Sequence, residues 1–183
     1  MPTIVIDPGH GGKDSGATYK GEMEKTVTLN VAMKMRELVK EMSAFSFFFT
    51  RAFDFTLSLE SRCRFANMVK ADLFISIHCN ADPDDDTNFD HIARGEEIWI
   101  HPGSANSRRF AVILQKYAMK YAQVHRGIKE SQGLYVLRHT KMPAAIVEIG
   151  FIDDPEFSKD PPVEMAAVAI VDAVKEYYDA AVV

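Results

Sequence analysis

Short apolar runs alternate with amphipathic helical patterns along most of this 183-residue chain. Runs too short for helices, several of them rich in β-branched or aromatic residues, predict strands at residues 3–6, 45–50, 73–77, 97–101, 133–137 and 144–149. Such alternation favours a mainly parallel sheet that is covered by helices on both faces. The expected fold is therefore a single α/β domain over residues 1–183, with a twisted, mainly parallel (mixed) sheet of about six strands.

The helices are predicted from apolar residues that recur at helical spacing. In the first helix, the apolar side is expected to carry Val27, Val31, Met35, Leu38, Val39 and Met42. The second helix begins after Ser58, whose hydroxyl can cap the first turn, and is expected to bury Leu59 and Cys63. A third helix covers residues 110–121, and a fourth follows the proline pair at 161–162, which suits a helix start.

Composition and charge limit the classes of function. Hydrophobic residues make up 47% of the chain and charged residues 26%, which is typical of a globular protein rather than a disordered one. The net charge of −5 and the lack of a long Lys/Arg run argue against nucleic-acid binding. No apolar run approaches the roughly 20 residues of a membrane span, and no signal peptide precedes the first strand. The two cysteines, Cys63 and Cys79, are too few for a disulfide framework or a cysteine zinc site.

The turn after the first strand presents a histidine. Residues 3–6 lead into Asp7-Pro8-Gly9, so His10 is expected just past the carboxyl end of the strand, the edge where open α/β sheets bind ligands. Glycines on both sides leave little bulk around the imidazole. The pattern suits a metal ligand, although a histidine that only forms hydrogen bonds within the turn fits equally well. The glycines match neither the dinucleotide-binding spacing nor that of a P-loop.

Three further residues are candidates by position. His78 follows the apolar run 73–77, so a second histidine is expected at a strand end. Glu148 lies within the apolar run 144–152, where an ionised carboxylate is costly unless it is paired or functional. Glu24 stands at the front of the first helix, where the helix dipole alone explains an acidic residue. For Glu148 the alternative is a buried ion pair with Arg or Lys, and sequence spacing decides neither case.

The acidic segment 82–86 is predicted to be a solvated surface loop. It contains Pro83, and it lacks the glycine and the terminal glutamate that a calcium-binding loop requires.

Six segments, in order along the chain, carry a family resemblance. They are IVIDPGHGGKDSGA at the start, EKTVTLNVA from Glu24, LSLESRCRFAN from Leu57, ADLFISIHCNA from Ala71, SRRFA from Ser107 and YVLRHTKMPAAIVEIGFIDDPEF from Tyr135. On these motifs the chain resembles the zinc-dependent N-acetylmuramoyl-L-alanine amidases with an IDPGHGG opening, over nearly its whole length. The resemblance implies that His10, Glu24 and His78 bind zinc and that Glu148 is the catalytic glutamate.

The same resemblance implies a reaction. The substrate is expected to be peptidoglycan, cleaved at the amide bond between N-acetylmuramic acid and L-alanine of the stem peptide. Two histidines and a glutamate leave a zinc ion open to water, as in catalytic sites, and Glu148 can act as the proton carrier. Arg138 and His139 lie near the site by analogy, without an assigned role. The enzyme is expected to be a monomer.

The expected place of action is the cell envelope. Because the sequence shows no signal peptide, either an export segment lies outside it or the protein is released by phage-type lysis. Two other functions stay open: a wall-binding module without hydrolysis, and a metallohydrolase that acts on a different amide. Some members of the family carry a long insertion whose helix covers the zinc. The corresponding interval here, residues 102–132, is too short for one, so an open site is expected.

Overall fold

The architecture was obtained from a computed structural model, which describes residues 1–82, 94–122, 124–159 and 161–179. The strands are β1 (Thr3–Pro8), β2 (Thr18–Tyr19), β3 (Glu22–Met23), β4 (Ser46–Phe49), β5 (Leu73–Asn80), β6 (Glu96–Ile100), β7 (His125–Glu130) and β8 (Ala144–Phe151). The helices are α1 (Glu24–Leu38), α2 (Leu59–Met68), α3 (Ala105–Ala118), α4 (Tyr135–His139), α5 (Pro155–Lys159) and α6 (Val163–Asp179).

Six of these strands form one sheet in the order β4-β1-β5-β8-β6-β7, and β2 and β3 form a separate small hairpin. Strands β4, β1, β5 and β8 run parallel to one another. Strand β6 is antiparallel to β8, and β7 is parallel to β6. The prediction of a mixed, mainly parallel sheet is confirmed.

Helices cover both faces of the sheet, and alternate side chains along each central strand pack against helices on opposite faces. Ile4 and Ile6 of β1 belong to a large apolar cluster with α1, α3 and α6, which we call the three-helix face. Val5, between them, belongs to a smaller cluster with α2 and α4, the two-helix face. Because the central strands are buried on both sides, their sequences are apolar almost throughout, as expected for parallel strands.

In the six-stranded sheet, one strand prediction is wrong and one strand was missed, and the short hairpin strands β2 and β3 were not predicted. Residues 133–137 were expected to form a strand, but helix α4 begins at Tyr135, and its consecutive residues Val136 and Leu137 both pack into the two-helix face. A short apolar run does not distinguish a strand from a buried helical turn. The strand in this region is β7, whose sequence HRGIKE has a single apolar side chain, Ile128, because an edge strand needs little burial.

The predicted helices are found, with two errors in their apolar sides. The hydroxyl of Ser58 caps α2 by accepting a hydrogen bond from the amide of Ser61 at 3.2 Å, as predicted. Leu38 and Leu59 were expected to be buried, but they are the last residue of α1 and the first of α2, and both are exposed. The acidic segment 82–86 lies outside the described residues, apart from Asp82. Among the described helices, none is long and apolar enough to cross a membrane.

Candidate active site

Three of the four predicted site residues converge at the carboxyl edge of the parallel strands. His10 lies in the loop after β1, Glu24 is the first residue of α1, and His78 lies near the end of β5. One nitrogen of each imidazole and one carboxylate oxygen lie within 4.8 Å of one another. His78 was expected beyond the strand end, but β5 continues to Asn80, so the backbone of His78 is held by the sheet.

Glu24 is the centre of this cluster, and its carboxylate is held from four directions. His10 Nε2 lies 3.0 Å from Oε2, and His78 Nδ1 lies 2.9 Å from Oε1. The backbone amides of Ala17 and Cys79 each donate a hydrogen bond of 2.9 Å to the carboxylate. Burial alone would raise the pKa of Glu24, but the hydrogen bonds from the two histidines outweigh it and hold that pKa far below its usual range. A helix-dipole role alone does not explain such a site.

The two imidazoles respond to the same carboxylate. Burial by itself would lower the pKa of His10 and of His78, but the hydrogen bond and charge of Glu24, joined at His78 by the charge of Glu148, outweigh this, so both pKa values are raised. His10 Nδ1 also lies 2.9 Å from Asp14 Oδ2. A carboxylate on the second ring nitrogen fixes the orientation of a ligand histidine, as in many zinc sites. His10 is therefore oriented from both ring nitrogens.

The loop that carries His10 has an unusual backbone, and two buried arginines hold it. His10 has a left-handed φ of 59°, which costs a residue other than glycine of the order of 1 kcal/mol. Arg62 of α2 donates hydrogen bonds to the carbonyls of Pro8 at 2.7 Å and His10 at 2.6 Å. Arg51 donates to the carbonyls of Pro8 at 3.0 Å and Gly9 at 2.8 Å. These bonds satisfy carbonyls that the turn leaves without strand partners.

The charge of Arg62 is balanced inside the protein by Asp7. Arg62 Nη1 lies 2.7 Å from Asp7 Oδ1, and both side chains are almost fully buried. The hydroxyl of Ser76 donates to the other oxygen of Asp7 at 2.8 Å. The ion pair joins α2 to β1, and the hydrogen bond from Ser76 adds β5, next to the loop that carries His10.

Two glycines leave the space that the cluster occupies. A Cβ atom on Gly9 would lie 2.5 Å from Cε1 of His78, so only glycine allows the ring to lie there. A Cβ atom on Gly16 would lie 2.5 Å from Glu24 Oε2 and 2.7 Å from His10 Cδ2, and Gly16 has a φ of 65°. The glycine-rich opening of the chain is therefore shaped around these three side chains.

Glu148 lies beside the cluster, inside β8. It is the parallel register partner of His78, and its Oε2 is buried without a hydrogen-bond partner among the described residues. Burial chiefly raises the pKa of Glu148 to about 7; His78 lowers it, while Glu24 and Glu97 raise it. No described Arg or Lys forms an ion pair with Glu148, so the alternative of a structural ion pair is not seen here.

Glu97 is a nearby buried acid that the sequence reasoning missed. It is the antiparallel register partner of Glu148, and Arg126 Nε and Lys129 Nζ lie 2.8 Å and 2.5 Å from its Oε2. Its Oε1 accepts hydrogen bonds from the Trp99 indole at 2.8 Å and from Asn80 at 3.0 Å. The signal was weaker than in AAIVEIGFI, because EEIWI has two adjacent acids at the beginning of the strand rather than one acid inside an apolar run.

Arg138 and His139 lie at the end of α4 and are exposed. The His139 ring stacks on Tyr135 with centroids 3.8 Å apart. Arg138 lines a cavity with His101 and Ala144, at the beginning of β8. Within the described part of the chain, no hydrogen bond joins either side chain to the His-Glu-His cluster or to Glu148.

Comparison with known proteins gives the family. Residues 4–175 match the family described as N-acetylmuramoyl-L-alanine amidase. The chain is 37% identical over 156 residues to the N-acetylmuramoyl-L-alanine amidase CwlM of Bacillus licheniformis, which covers 84% of this chain and 58% of CwlM. The N-acetylmuramoyl-L-alanine amidase from Clostridium difficile 630 superposes with a TM-score of 0.89 at 31% identity, covering 97% of each chain. The catalytic domain of CwlV from Bacillus (Paenibacillus) polymyxa var. colistinus gives a TM-score of 0.87 at 31% identity, covering 98% of this chain and 99% of that one. This chain belongs to the N-acetylmuramoyl-L-alanine amidase family.

Proposed function

We propose that this chain is a zinc-dependent enzyme that hydrolyses the amide bond between N-acetylmuramic acid and L-alanine in peptidoglycan. The observation that carries the proposal is the convergence of His10, Glu24 and His78 beside the unpaired Oε2 of Glu148, in a member of this family. The catalytic unit is residues 1–183, acting on the cell wall as a monomer. Because the chain spans 58% of CwlM, the activity of that longer protein is carried over only as part of this proposal.

The donor set fits zinc. Two imidazole nitrogens and one carboxylate oxygen are common zinc ligands, and tetrahedral bonds of about 2.1 Å place neighbouring donors roughly 3.4 Å apart. Glu24 Oε2 lies 3.0 Å from His10 Nε2, its Oε1 lies 2.9 Å from His78 Nδ1, and one donor atom of each residue lies within 4.8 Å of the others, so the three side chains are close enough to hold one ion. Three protein ligands are typical of catalytic zinc sites, whereas structural sites use four. A bound zinc ion would supply Lewis-acid chemistry, activating water and polarising the substrate carbonyl.

Glu148 is proposed to move the proton. An unpaired carboxylate oxygen on the residue in register with His78 can accept a proton from the attacking water. The same group can then protonate the departing amine of L-alanine as the C–N bond breaks, which returns Glu148 to its starting state. The buried location excludes competing solvent from Oε2, and the sheet fixes the backbone of Glu148 beside His78.

The test is a digest of purified peptidoglycan by the zinc-loaded protein, with no other protein added. We expect mass spectrometry to show whole stem peptides with a free alanine amino end and intact glycan strands. A peptidase would instead cut within the stem, a deacetylase would release acetate, and a binding module would release nothing. Any of these three outcomes contradicts the proposal. Parallel metal analysis should give one zinc per chain.

A further inference from the structure

The surface beside Glu148 continues onto a part of the sheet that the described helices leave uncovered. The buried residues of the two-helix face come from β1, β5, β8, α2, α4 and the segment before β5, and the cluster ends at the partly buried Trp99 of β6. Beyond it lie Glu97, Arg126 and Lys129. We call these three residues and Trp99 the β6–β7 strip.

Strand register places this strip next to the proposed catalytic glutamate. His78, Glu148 and Glu97 are partners across β5, β8 and β6, so their side chains form one row on one face. In the adjacent row, Trp99 is the partner of Lys129 on β7. With strands spaced about 4.8 Å apart, β7 lies roughly 10 Å from the backbone of Glu148.

A β-bulge turns both cations of β7 towards the strip. Arg126 and Lys129 are three residues apart, so a regular strand would direct them to opposite faces. Opposite the stretch from Glu96 to Ile98 of β6, however, β7 contains one extra residue. Gly127, within this bulge, adopts a φ of 80°. The result is that both cations reach the same carboxylate oxygen of Glu97, at 2.8 Å and 2.5 Å.

The β6–β7 strip contains more positive than negative charge. Two cations face one carboxylate, which leaves a net positive charge. Arg126 uses only Nε towards Glu97, and its Nη1 and Nη2 have no hydrogen bond within the described part of the chain. Its side chain is 36% exposed. The terminal nitrogens of arginine bind a carboxylate in a bidentate manner, and such charge-assisted hydrogen bonds are among the strong ones.

We propose that Arg126, supported by Lys129, binds a free carboxylate of the peptide on the leaving side of the scissile amide. This inference rests on the proposed function, because it takes Glu148 to mark the bond that is cut. In an extended peptide, a carboxylate two residues beyond that bond lies roughly 7 Å away, which is within reach of an arginine on β7. The strip therefore selects peptides whose second residue is an acid rather than its amide.

The test uses two synthetic N-acetylmuramoyl peptides that differ only in whether the second residue has a free carboxylate or a carboxamide. For Arg126→Gln, we expect KM for the acid to rise about 10-fold, with kcat within about twofold and KM for the amide unchanged. Lys129 and Trp99 still contact Glu97 in this variant, so the fold should persist. The matched control is Arg108→Gln, which removes an arginine of α3 that pairs with Glu130 of β7 and should change neither KM.

Equal changes in KM for both peptides, or no change for either, would overturn the inference while leaving the proposed function intact. If the wild type cleaves neither peptide, the proposed function fails instead. In that case calorimetry decides the inference: the acid should bind the wild type about 10-fold more tightly than the amide does, and Arg126→Gln should abolish the difference. Equal binding of the acid and the amide would refute it.

Discussion

Replacing Gly9 with alanine tests the metal site through a single added methyl group. That Cβ atom would lie 2.5 Å from Cε1, 2.6 Å from Nε2 and 2.8 Å from Nδ1 of His78. Because ordinary carbon contacts begin near 3.5 Å, the ring has to move by about 1 Å. Gly9 is not among the glycines with a positive φ, so alanine adds no backbone strain there. The effect is therefore concentrated on His78.

Such a shift exceeds what a metal ligand tolerates, since ligand distances hold within about 0.2 Å. Disturbing the support of a ligand typically costs 10- to 100-fold in affinity. For Gly9→Ala we expect a loss of about 100-fold in zinc affinity, equivalent to about 2.7 kcal/mol. Competition with a zinc-binding dye measures it, with circular dichroism checking that the fold remains.

Gly133→Ala is the matched control. Its added Cβ would have Ser131 Oγ at 3.7 Å as its nearest neighbour, an ordinary contact, so zinc affinity should not change. Wild-type zinc affinity in Gly9→Ala, or an equal loss in Gly133→Ala, would refute the assignment of His78 as a ligand.

Three other variants separate metal binding, catalysis and structure. The double variant His10→Ala/His78→Ala should lose zinc in metal analysis while keeping its secondary structure, and full zinc occupancy would contradict the ligand assignment. Glu148→Gln should keep zinc and the wild-type melting temperature but lose nearly all turnover, because an amide cannot accept and return a proton. A lower melting temperature with normal turnover would instead indicate a structural role for Glu148. Arg62→Ala leaves the buried Asp7 without its cation and should lower the free energy of unfolding, measured by urea titration, by about 3–5 kcal/mol. As the control, Arg64→Ala removes an exposed arginine and should change that free energy by less than about 0.5 kcal/mol.

The central strands were predictable because burial on both faces leaves a strong apolar signal. Runs such as 73–77 and 144–149 contain β-branched residues, which favour strands, and both became strands of the core. The edge of the sheet was not predictable in this way. Strand β7 pairs on one side only and needs just Ile128 to anchor it, while the apolar run of α4 satisfies its burial as a helical turn.

The sequence singles out the three residues that the structure brings together, His10, Glu24 and His78, but not the residues that support them. A histidine at a strand end or a glutamate in an apolar run is visible in sequence, because its residue type conflicts with its surroundings. The arginines that hold the loop are not visible in this way. Arg51 and Arg62 look like ordinary surface residues in sequence, and only the fold brings them to the carbonyls of Pro8 and His10.

The apolar core determines the face of the sheet on which the Glu148 side chain lies. In β8, Ala145 and Val147 are buried against the three-helix face, so Glu148 cannot share that face and must lie with Ile146 on the other. A shift by one residue would place the carboxylate among the apolar side chains of the three-helix face, where burying an unpaired charge is costly. The same register aligns Glu148 with His78. The packing that stabilises the sheet therefore also holds the carboxylate beside the donor cluster, without any hydrogen bond to its Oε2 within the described residues.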